Sequence, residues 1–270
     1  MASSSTLPLT PGIHLVSTTT AATTAADASS DPAVSSLIDG IVHLHAACIL
    51  HDHTLATFLP PLSHSQLYQW WEKRLEEVTA RERHIIVSVS NVADRTTNHD
   101  LTAPWAAEGR SWPVVLRVPT DRDGDGDAQA TALEISGVVS LETPFSQTGP
   151  FRGEVQKLFV HPMHRRRGIA RKLMARLETV ALDHGRWNLM LDTEVGSAAE
   201  EVYPKLGYER LGVVREYGYS PRDGRLVDEV WYWKDLRKMA RLKEEEGKEK
   251  EREREREKEW EYSLRASREG

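Results

Sequence analysis

The sequence runs VQKLFVHP over Val155–Pro162 and RRRGIA over Arg165–Ala170, and an amphipathic stretch follows. Because the first segment is rich in β-branched and aromatic residues, the pattern predicts a strand, a basic turn and a helix over residues 168–184. The first turn of a helix has unpaired N–H groups and a partial positive charge, and a glycine there lets a ligand approach the backbone closely. The pattern therefore indicates a diphosphate site, with a basic surface turn as the alternative interpretation.

The regions on both sides supply the other elements of an α/β domain. Apolar residues at helical spacing predict helices, and short runs rich in Val and Ile predict strands. The predicted helices lie at residues 34–50, 64–83, 168–184 and 198–206. The predicted strands lie at residues 13–16, 84–92, 114–118, 132–142, 153–161, 187–193, 208–216 and 226–234. Two helices followed by strands around two further helices indicate the α/β class, with an α+β mixed sheet.

Changes in composition mark the ends of this domain. Residues 1–11 are rich in Ser, Thr and Pro, which predicts a disordered N-terminus. The domain is expected over residues 12–236, with the Gly-, Pro- and Asp-containing residues 93–130 as a surface insertion. Residues 237–270 are rich in charge, alternate in sign over Glu251–Glu259 and lack an apolar stripe, which predicts a charged C-terminal helix or a disordered tail.

Charge and cysteine content exclude several classes of protein. The chain has 270 residues, a formal net charge of −6 and a single cysteine, Cys48, which excludes an intramolecular disulfide framework. The lack of an 18-residue apolar run and of any Lys or Arg before Lys73 argues against a membrane span, a secretory signal and a transit peptide. The net charge argues against a dedicated nucleic-acid binder. We therefore expect a cytoplasmic protein without membrane or nucleic-acid partners, with a nuclear signal at Arg165–Arg167 as the alternative.

Two segments resemble metal sites but lack the required ligands. Four histidines lie within His43–His53, yet the first two point about 200° apart on a helix and the others lie near its end. The run Asp121–Gly126 begins like a calcium loop, but Ala132 stands where the bidentate glutamate is required. We expect no metal.

The loop pattern (Arg/Gln)-x-x-Gly-x-(Gly/Ala), met by Arg165–Ala170, resembles the acyl-CoA pyrophosphate loop of the GNAT superfamily of N-acetyltransferases. Further motifs, in the same order along the chain, resemble the tabtoxin-resistance type of acetyltransferase within that superfamily. These motifs are Leu59–Ser63, Glu154–Leu158, Leu191–Glu200, Tyr203, Leu206–Tyr208 and Asp223–Leu226. The resemblance covers about residues 12–236 and is strongest over residues 153–236.

The resemblance implies a GNAT fold, a mixed sheet that splays between its fourth and fifth strands with acetyl-CoA in the gap. Backbone groups of Leu158, Phe159 and Val160 would bind the pantetheine arm, and an N–H near Val160 would polarise the thioester carbonyl. The basic loop would hold the diphosphate. Its cofactor-binding residues would be Arg165, Arg166, Arg167, Gly168, Ile169 and Ala170.

The resemblance also implies two catalytic residues. An amine loses a proton when it is acetylated, and Asp192, at the position implicated as the base, can accept that proton. Asp192 shares one face of its strand with Glu194, and a structural cap or a water anchor is the alternative role. Tyr203 matches the acid that protonates the leaving thiolate, with a core tyrosine as the alternative. Pro204 removes a bond to the Glu200 carbonyl and leaves the placement of Tyr203 open.

These expectations describe an acetyl-CoA-dependent N-acetyltransferase that transfers acetyl directly to a primary amine of a small molecule, either amino-acid-like or a toxin or antibiotic. Direct transfer needs no covalent enzyme intermediate, in agreement with a single cysteine far from the motif. A protein N-terminus or lysine is the alternative acceptor, and a non-catalytic acyl-CoA-binding module is a further alternative. The sequence leaves open the identity of the acceptor and whether the chain forms a homodimer.

Overall fold

The computed structural model describes residues 10–16, 32–95, 116–118 and 131–238, together with residues 241, 252, 254 and 256. The chain divides into two compact units, residues 1–234 and residues 235–270. In the second unit, the described arginines 241, 252, 254 and 256 are helical and exposed. Most of the expected disordered N-terminus, surface insertion and charged tail lies outside the described residues.

One mixed sheet organises the fold. Its described strands are β1 (Gly12–Leu15), β2 (Arg83–Asn91), β3 (Leu116–Val118), β4 (Thr131–Glu142), β5 (Arg152–Val160), β6 (Asn188–Glu194), β7 (Glu209–Tyr219) and β8 (Leu226–Asp235). Their order is β1-β2-β4-β5-β6-β8-β7, and β3 pairs with β4. The register is antiparallel for β1–β2, β2–β4, β3–β4, β4–β5 and β7–β8, and parallel for β5–β6. The mixed α/β architecture expected from the sequence is confirmed.

Helices cover this sheet and bury its apolar residues. The described α-helices are α1 (Pro32–Asp52), α2 (His64–Thr79), α3 (Ile169–Asp183) and α4 (Val202–Lys205), and short 3₁₀ turns lie at Val92–Asp94 and Pro162–His164. Ser63 caps α2, because its hydroxyl accepts a hydrogen bond from the Gln66 N–H. The apolar faces of α1 and α2 pack with β2 and β4 into one core, where Trp71 is buried.

The apolar composition of α1 also satisfies a membrane-span criterion. The segment Ala33–Asp52 is long enough to cross a bilayer and has a mean hydropathy of 1.6, but 72% of it is buried inside the protein. No other helix in the described part of the chain meets the criterion. A buried core helix passes the same test, so the expected absence of a membrane span stays a prediction.

The sheet opens between β5 and β6, which are the fourth and fifth strands in the order of the sheet, as the resemblance implied. The two strands pair in parallel only at their starts, where Arg152–Glu154 lies beside Asn188–Met190. Both strands continue beyond that point without a partner across the gap. On the β4 side, the register shifts near Val138, where Lys157 has a φ of 57° and forms a bulge. A bulge bends its strand locally, and this one lies beyond the last residue of β5 that pairs with β6.

Close packing sets the position of α3 against the sheet. A Cβ at Gly137 of β4 would lie 2.9 Å from side-chain atoms of both Ile169 and Leu173. Only glycine therefore lets the first turn of α3 approach β4 so closely. This contact fixes the start of α3 beside the end of β5.

The helix predicted over residues 198–206 is wrong in extent, because α4 spans only Val202–Lys205. Ser197 and Glu200 have the spacing of a capping box, which is typical of a helix start, but here they cap a turn. The Glu200 N–H donates to the Ser197 hydroxyl, and the Glu200 carboxylate accepts from the Gly196 N–H. A capping box satisfies the same donors in a tight turn as at a helix start, so the sequence signal does not distinguish the two.

Candidate active site

A polar cavity of about 340 Å³ lies at the opening between β5 and β6. Its walls come from the loop after α1, from α2, from the second half of β5, from the end of β6 and from α4. Asp192 and Tyr203, the two expected catalytic residues, both line it, as do Leu158 and Phe159. The fold therefore brings the expected catalytic residues and part of the expected cofactor strand to one place.

The β5 edge that faces this opening has backbone groups without a strand partner. Beyond Glu154 the parallel pairing with β6 ends, while Phe159 and Val160 remain paired with β4 on the other edge. An exposed strand edge of this kind binds an extended chain through main-chain hydrogen bonds. The pantetheine arm is an extended chain with amide groups, so this edge fits the role expected for residues 158–160.

The loop after β5 presents a helix N-terminus. Gly168 is the N-cap of α3 with φ 73° and ψ 13°, a left-handed conformation that favours glycine. Arg166 also has a positive φ, 61°, so the loop folds tightly. The first N–H groups of α3, including those of Ile169 and Ala170, have no partner within the helix and carry its positive dipole end. These groups can bind a diphosphate.

The three arginines of the loop have different surroundings. Arg165 binds the Asp52 carboxylate through both terminal nitrogens and donates through Nε to the Val160 carbonyl at 3.3 Å. Arg167 donates to the Asp94 carbonyl at 3.0 Å. Arg166 is exposed and has no side-chain partner among the described residues. Arg165 and Arg167, two of the expected phosphate-binding residues, thus bind protein groups and stabilise the loop. Arg166 is the one of the three whose side chain faces solvent without a described partner.

Asp192 belongs to a carboxyl pair that the sequence did not reveal. Its side chain hydrogen-bonds Glu229 of β8, which is only 8% exposed. Burial and the contact with Asp192 raise the pKa of Glu229 to about 8. Glu229 therefore keeps its proton near neutral pH. No motif contains Glu229, and the available signal was an acidic residue, next to Asp228, among the apolar residues of β8.

Lys157 lies near this pair. Burial lowers the pKa of Lys157, while the attraction of Asp192 opposes that effect. Glu194, the other carboxylate on the β6 face, has a pKa raised by burial. The carboxylates at this end of β6 and β8 are therefore poorly solvated, which is the environment of groups that exchange protons near neutral pH.

Tyr203 is placed at the cavity despite the proline that follows it. Glu201 is the N-cap of α4, so Pro204 is the third residue of the helix, where the N–H has no helical partner to lose. Tyr203 is 6% exposed and packs against the rings of Tyr208 and Tyr232 at 6.0 and 5.6 Å. Burial and the neighbouring Asp192 raise the pKa of Tyr203, which keeps its hydroxyl protonated. That hydroxyl can therefore donate a proton or a hydrogen bond into the cavity.

Of the four clustered histidines, His43 and His45 are buried in the core, whereas His51 is exposed. His45 Nε2 lies 2.8 Å from the Ala56 carbonyl, and Trp71 Nε1 donates to His45 Nδ1 at 3.1 Å. Burial lowers the pKa of His45 to about 3. In the described part of the chain no three His, Cys, Asp or Glu side chains are grouped as metal ligands. The absence of a metal stays a prediction.

The sequence and the fold were compared with known proteins. Residues 128–210 match the family model described as an acetyltransferase (GNAT) domain. A solved structure of a provisionally assigned acetyltransferase from Acinetobacter baylyi ADP1 is similar, with 15% identity, a TM-score of 0.52 and coverage of 86% of this chain and 95% of its own.

Two further solved structures are similar to this chain. One is a provisionally assigned acetyltransferase from Salmonella typhimurium with its cofactor acetyl-CoA, at 16% identity, TM-score 0.49 and coverage of 84% and 94% of the two chains. The other is a ribosomal-protein-alanine N-acetyltransferase from Brucella melitensis, at 17% identity, TM-score 0.48 and coverage of 75% and 96%.

The matched residues 128–210 contain β4, the bulged β5, the basic loop, α3, β6 and Tyr203, which supply part of the cavity wall and the helix N-terminus. The sheet order and the opening between β5 and β6 agree with the fold implied by the resemblance. Residues 128–210 therefore match a GNAT acetyltransferase domain, and the fold of the chain is that of the GNAT acetyltransferases.

Proposed function

We propose that this protein is an N-acetyltransferase that transfers the acetyl group of acetyl-CoA directly to a primary amine of a small molecule. The observation that carries the proposal is the meeting of Asp192 and Tyr203 at one cavity beside the unpaired edge of β5, with Asp192 hydrogen-bonded to Glu229. The acceptor is amino-acid-like or a toxin or antibiotic, and the tabtoxin-resistance type is the proposed subgroup.

The carboxyl pair supplies the base. A primary amine must lose a proton as it forms an amide, and a carboxylate with a pKa near the working pH is an efficient acceptor. The pair formed by Asp192 and Glu229 has such a group, since the pKa of Glu229 is about 8. An α-amine, with a pKa of about 7.7–8.0, is matched to this base more closely than a lysine amine at about 10.4.

Tyr203 supplies the acid. The thiolate that leaves needs a proton, and a phenol kept neutral by burial can donate one. Cys48, the one cysteine of the sequence, does not compete as a nucleophile. Burial raises its pKa to about 12, and its thiol donates to the Val160 carbonyl at 3.7 Å. Direct transfer, without an acyl-enzyme, is the route these residues favour.

The residues along β5 and at the start of α3 fit acetyl-CoA. The unpaired β5 edge would bind the amide-containing arm, and the α3 N-terminus with Arg166 would bind the diphosphate. Bound there, acetyl-CoA supplies an activated acyl group, and the protein positions it with fixed main-chain dipoles. We further propose a cytoplasmic location, with the nucleus as the alternative.

A panel assay separates the acceptor classes. Release of free thiol from acetyl-CoA is measured with free amino acids, polyamines, aminoglycosides and peptides with free N-termini or lysines. Turnover with one small-molecule class is the expected result. Turnover with peptides alone would replace the proposal with the protein-acceptor alternative. Acetyl-CoA binding without turnover on any acceptor would favour the non-catalytic module.

A further inference from the structure

The cavity has a cationic wall that the catalytic residues do not explain. Trp70 of α2 lines it, and two cations lie over its ring: Arg74 Cζ is 4.8 Å and Lys157 Nζ is 5.7 Å from the ring centroid. Arg74 comes one helical turn after Trp70, while Lys157 is brought to the same ring by the β5 bulge. Both cations line the cavity.

Neither cation has its hydrogen-bonding capacity filled by the described protein. Arg74 forms an ion pair with Glu77 at 3.1 Å, but its Nε atom is buried without a hydrogen-bond partner. Lys157 has no hydrogen bond or ion pair with any described side chain, although its surroundings are poorly solvated. A buried donor without a partner is costly, and more so when it is charged, so these two side chains favour a ligand that brings acceptors to the cavity.

The carboxylates nearby are already engaged elsewhere. Glu142 accepts hydrogen bonds from Arg83 and Gln156, both at 2.8 Å, and Glu154 accepts from Gln156 at 2.8 Å. Asp192 hydrogen-bonds Glu229. The cavity wall formed by Trp70, Arg74 and Lys157 therefore keeps a positive charge. The carboxyl pair beside Tyr203 makes another part of the cavity negative.

We propose that Arg74 and Lys157 bind a carboxylate of the acetyl acceptor beside the Trp70 ring. The acceptor is then a small molecule with both an amine and a carboxylate, such as a free amino acid. Its amine lies toward the Asp192–Glu229 pair, and its carboxylate lies at Arg74 and Lys157. Arg74 presents a planar fork of N–H groups that matches a carboxylate, and Lys157 adds a point charge. This inference rests on the proposed function, because it names the acceptor of the same site.

The test compares each amino acid with its own carboxamide as acceptor. The two molecules share the amine and the side chain, and only the acid is an anion. We expect wild-type protein to acetylate the acid with at least about tenfold higher kcat/KM, since one good charge-assisted contact is worth about 1.4 kcal/mol or more. In Arg74→Gln that preference for the acid should fall to about one, mainly through a higher acceptor KM.

Two further variants complete the experiment. Lys73→Gln removes a positive charge from the exposed residue beside Arg74, and it should keep the wild-type preference. Lys157→Gln tests the same subsite from β5, so a folding defect in one variant does not remove the test. Equal rates for acid and amide in wild-type protein, or an Arg74→Gln effect on the acetyl-CoA KM alone, would overturn the inference.

The outcomes also separate this inference from the proposed function. Turnover with polyamines or aminoglycosides but with no amino acid would overturn the carboxylate subsite and leave the small-molecule acetyltransferase standing. No turnover with any amine would overturn both.

Discussion

At the scale of single residues, the proposed proton transfers are divided between two places with different environments. Burial and Asp192 raise the pKa of Glu229 to about 8, and Tyr203 keeps its proton because burial and Asp192 disfavour the phenolate. Sequence motifs identified Asp192 and Tyr203, since both lie within stretches that resemble a known pattern. Glu229 was not identified, because its partner across the β6–β8 contact is set by the fold and not by spacing along the chain.

Removal of the Tyr203 hydroxyl tests the acid. Tyr203→Phe keeps the ring contacts with Tyr208 and Tyr232, so the fold should be retained. We expect kcat to fall by about 100-fold or more, the usual contribution of a general acid, with the acetyl-CoA Kd unchanged. Steady-state kinetics and calorimetric titration give the two numbers. Tyr219→Phe, at a tyrosine that is 59% exposed, is the control; a wild-type kcat in Tyr203→Phe would remove the acid role.

The carboxyl pair should set the pH dependence of the reaction. A raised pKa means that Glu229 holds its proton up to about pH 8 and can accept a proton only above that pH. With an acceptor amine that titrates well below pH 8, kcat should therefore rise as pH increases through about 8 and then level off.

The variant Glu229→Gln checks this assignment of the pH limb. This variant removes the carboxyl whose pKa is about 8, so the rise of kcat near pH 8 should disappear. Glu209→Gln, at an exposed glutamate of β7, should keep the wild-type profile. An identical rise of kcat with pH in Glu229→Gln and in wild-type protein would show that the carboxyl pair does not control kcat.

At the scale of elements, the site depends on how β4, β5 and α3 are joined. The loop pattern predicted the strand, the turn and the helix because each has a local signal in the sequence. The length of α4 was not predicted, since a capping box marks a turn and a helix start equally. The bulge at Lys157 has no local signature either, because it arises from the register between β4 and β5.

The left-handed glycine at the start of α3 should govern acetyl-CoA binding. A Cβ at Gly168 would meet no atom within 4 Å, so Gly168→Ala introduces backbone strain of about 1–2 kcal/mol without a clash. We expect a several-fold higher acetyl-CoA KM and an unchanged acceptor KM. Gly185→Ala, at the other end of α3 with φ 70° and equally open space, is the control. Equal acetyl-CoA KM values in the two variants would contradict this role of the loop.

A buried ion network holds the basic loop to β4. Glu134 is 0% exposed; Arg95 donates to it at 2.6 and 2.8 Å, and His164 Nε2 lies 2.7 Å from it. Burial alone would raise the pKa of Glu134, but the hydrogen bonds from Arg95 and His164 outweigh it and lower the pKa to about 2. His164 directly precedes the loop arginines, so the network couples loop position to the sheet.

This network predicts a loss of stability in acid. A carboxyl with a lowered pKa stabilises the fold above its unfolded pKa of 4.5, and that stabilisation is lost as pH falls toward 2. The loss should amount to about 3 kcal/mol in the free energy of unfolding, measured by urea denaturation between pH 7 and pH 2. Glu134→Gln should be less stable at pH 7 and should lose less on acidification. A variant with the same pH dependence as wild-type protein would contradict the assignment.

At the scale of the whole molecule, the proposed cofactor site and the proposed acceptor cavity meet at the opening between β5 and β6. The β5 edge and the α3 N-terminus fit a long cofactor, and the cavity under α2 fits a small polar acceptor. The sequence predicted the cofactor side because its loop is local in the chain. The acceptor side was not predicted, since Trp70, Lys157 and Glu229 come from three distant segments that meet only in the fold.

We propose that the Asp192–Glu229 pair accepts the proton of the amine during acetyl transfer at this opening. The direct measurement is the amount of N-acetylated product formed from acetyl-CoA and the best acceptor, identified by mass spectrometry, in wild-type protein and in Asp192→Asn. We expect product in wild-type protein and at least about 100-fold less in Asp192→Asn, with acetyl-CoA binding retained. Product at the wild-type rate in Asp192→Asn, or no acetylated amine with any acceptor in either protein, would contradict it.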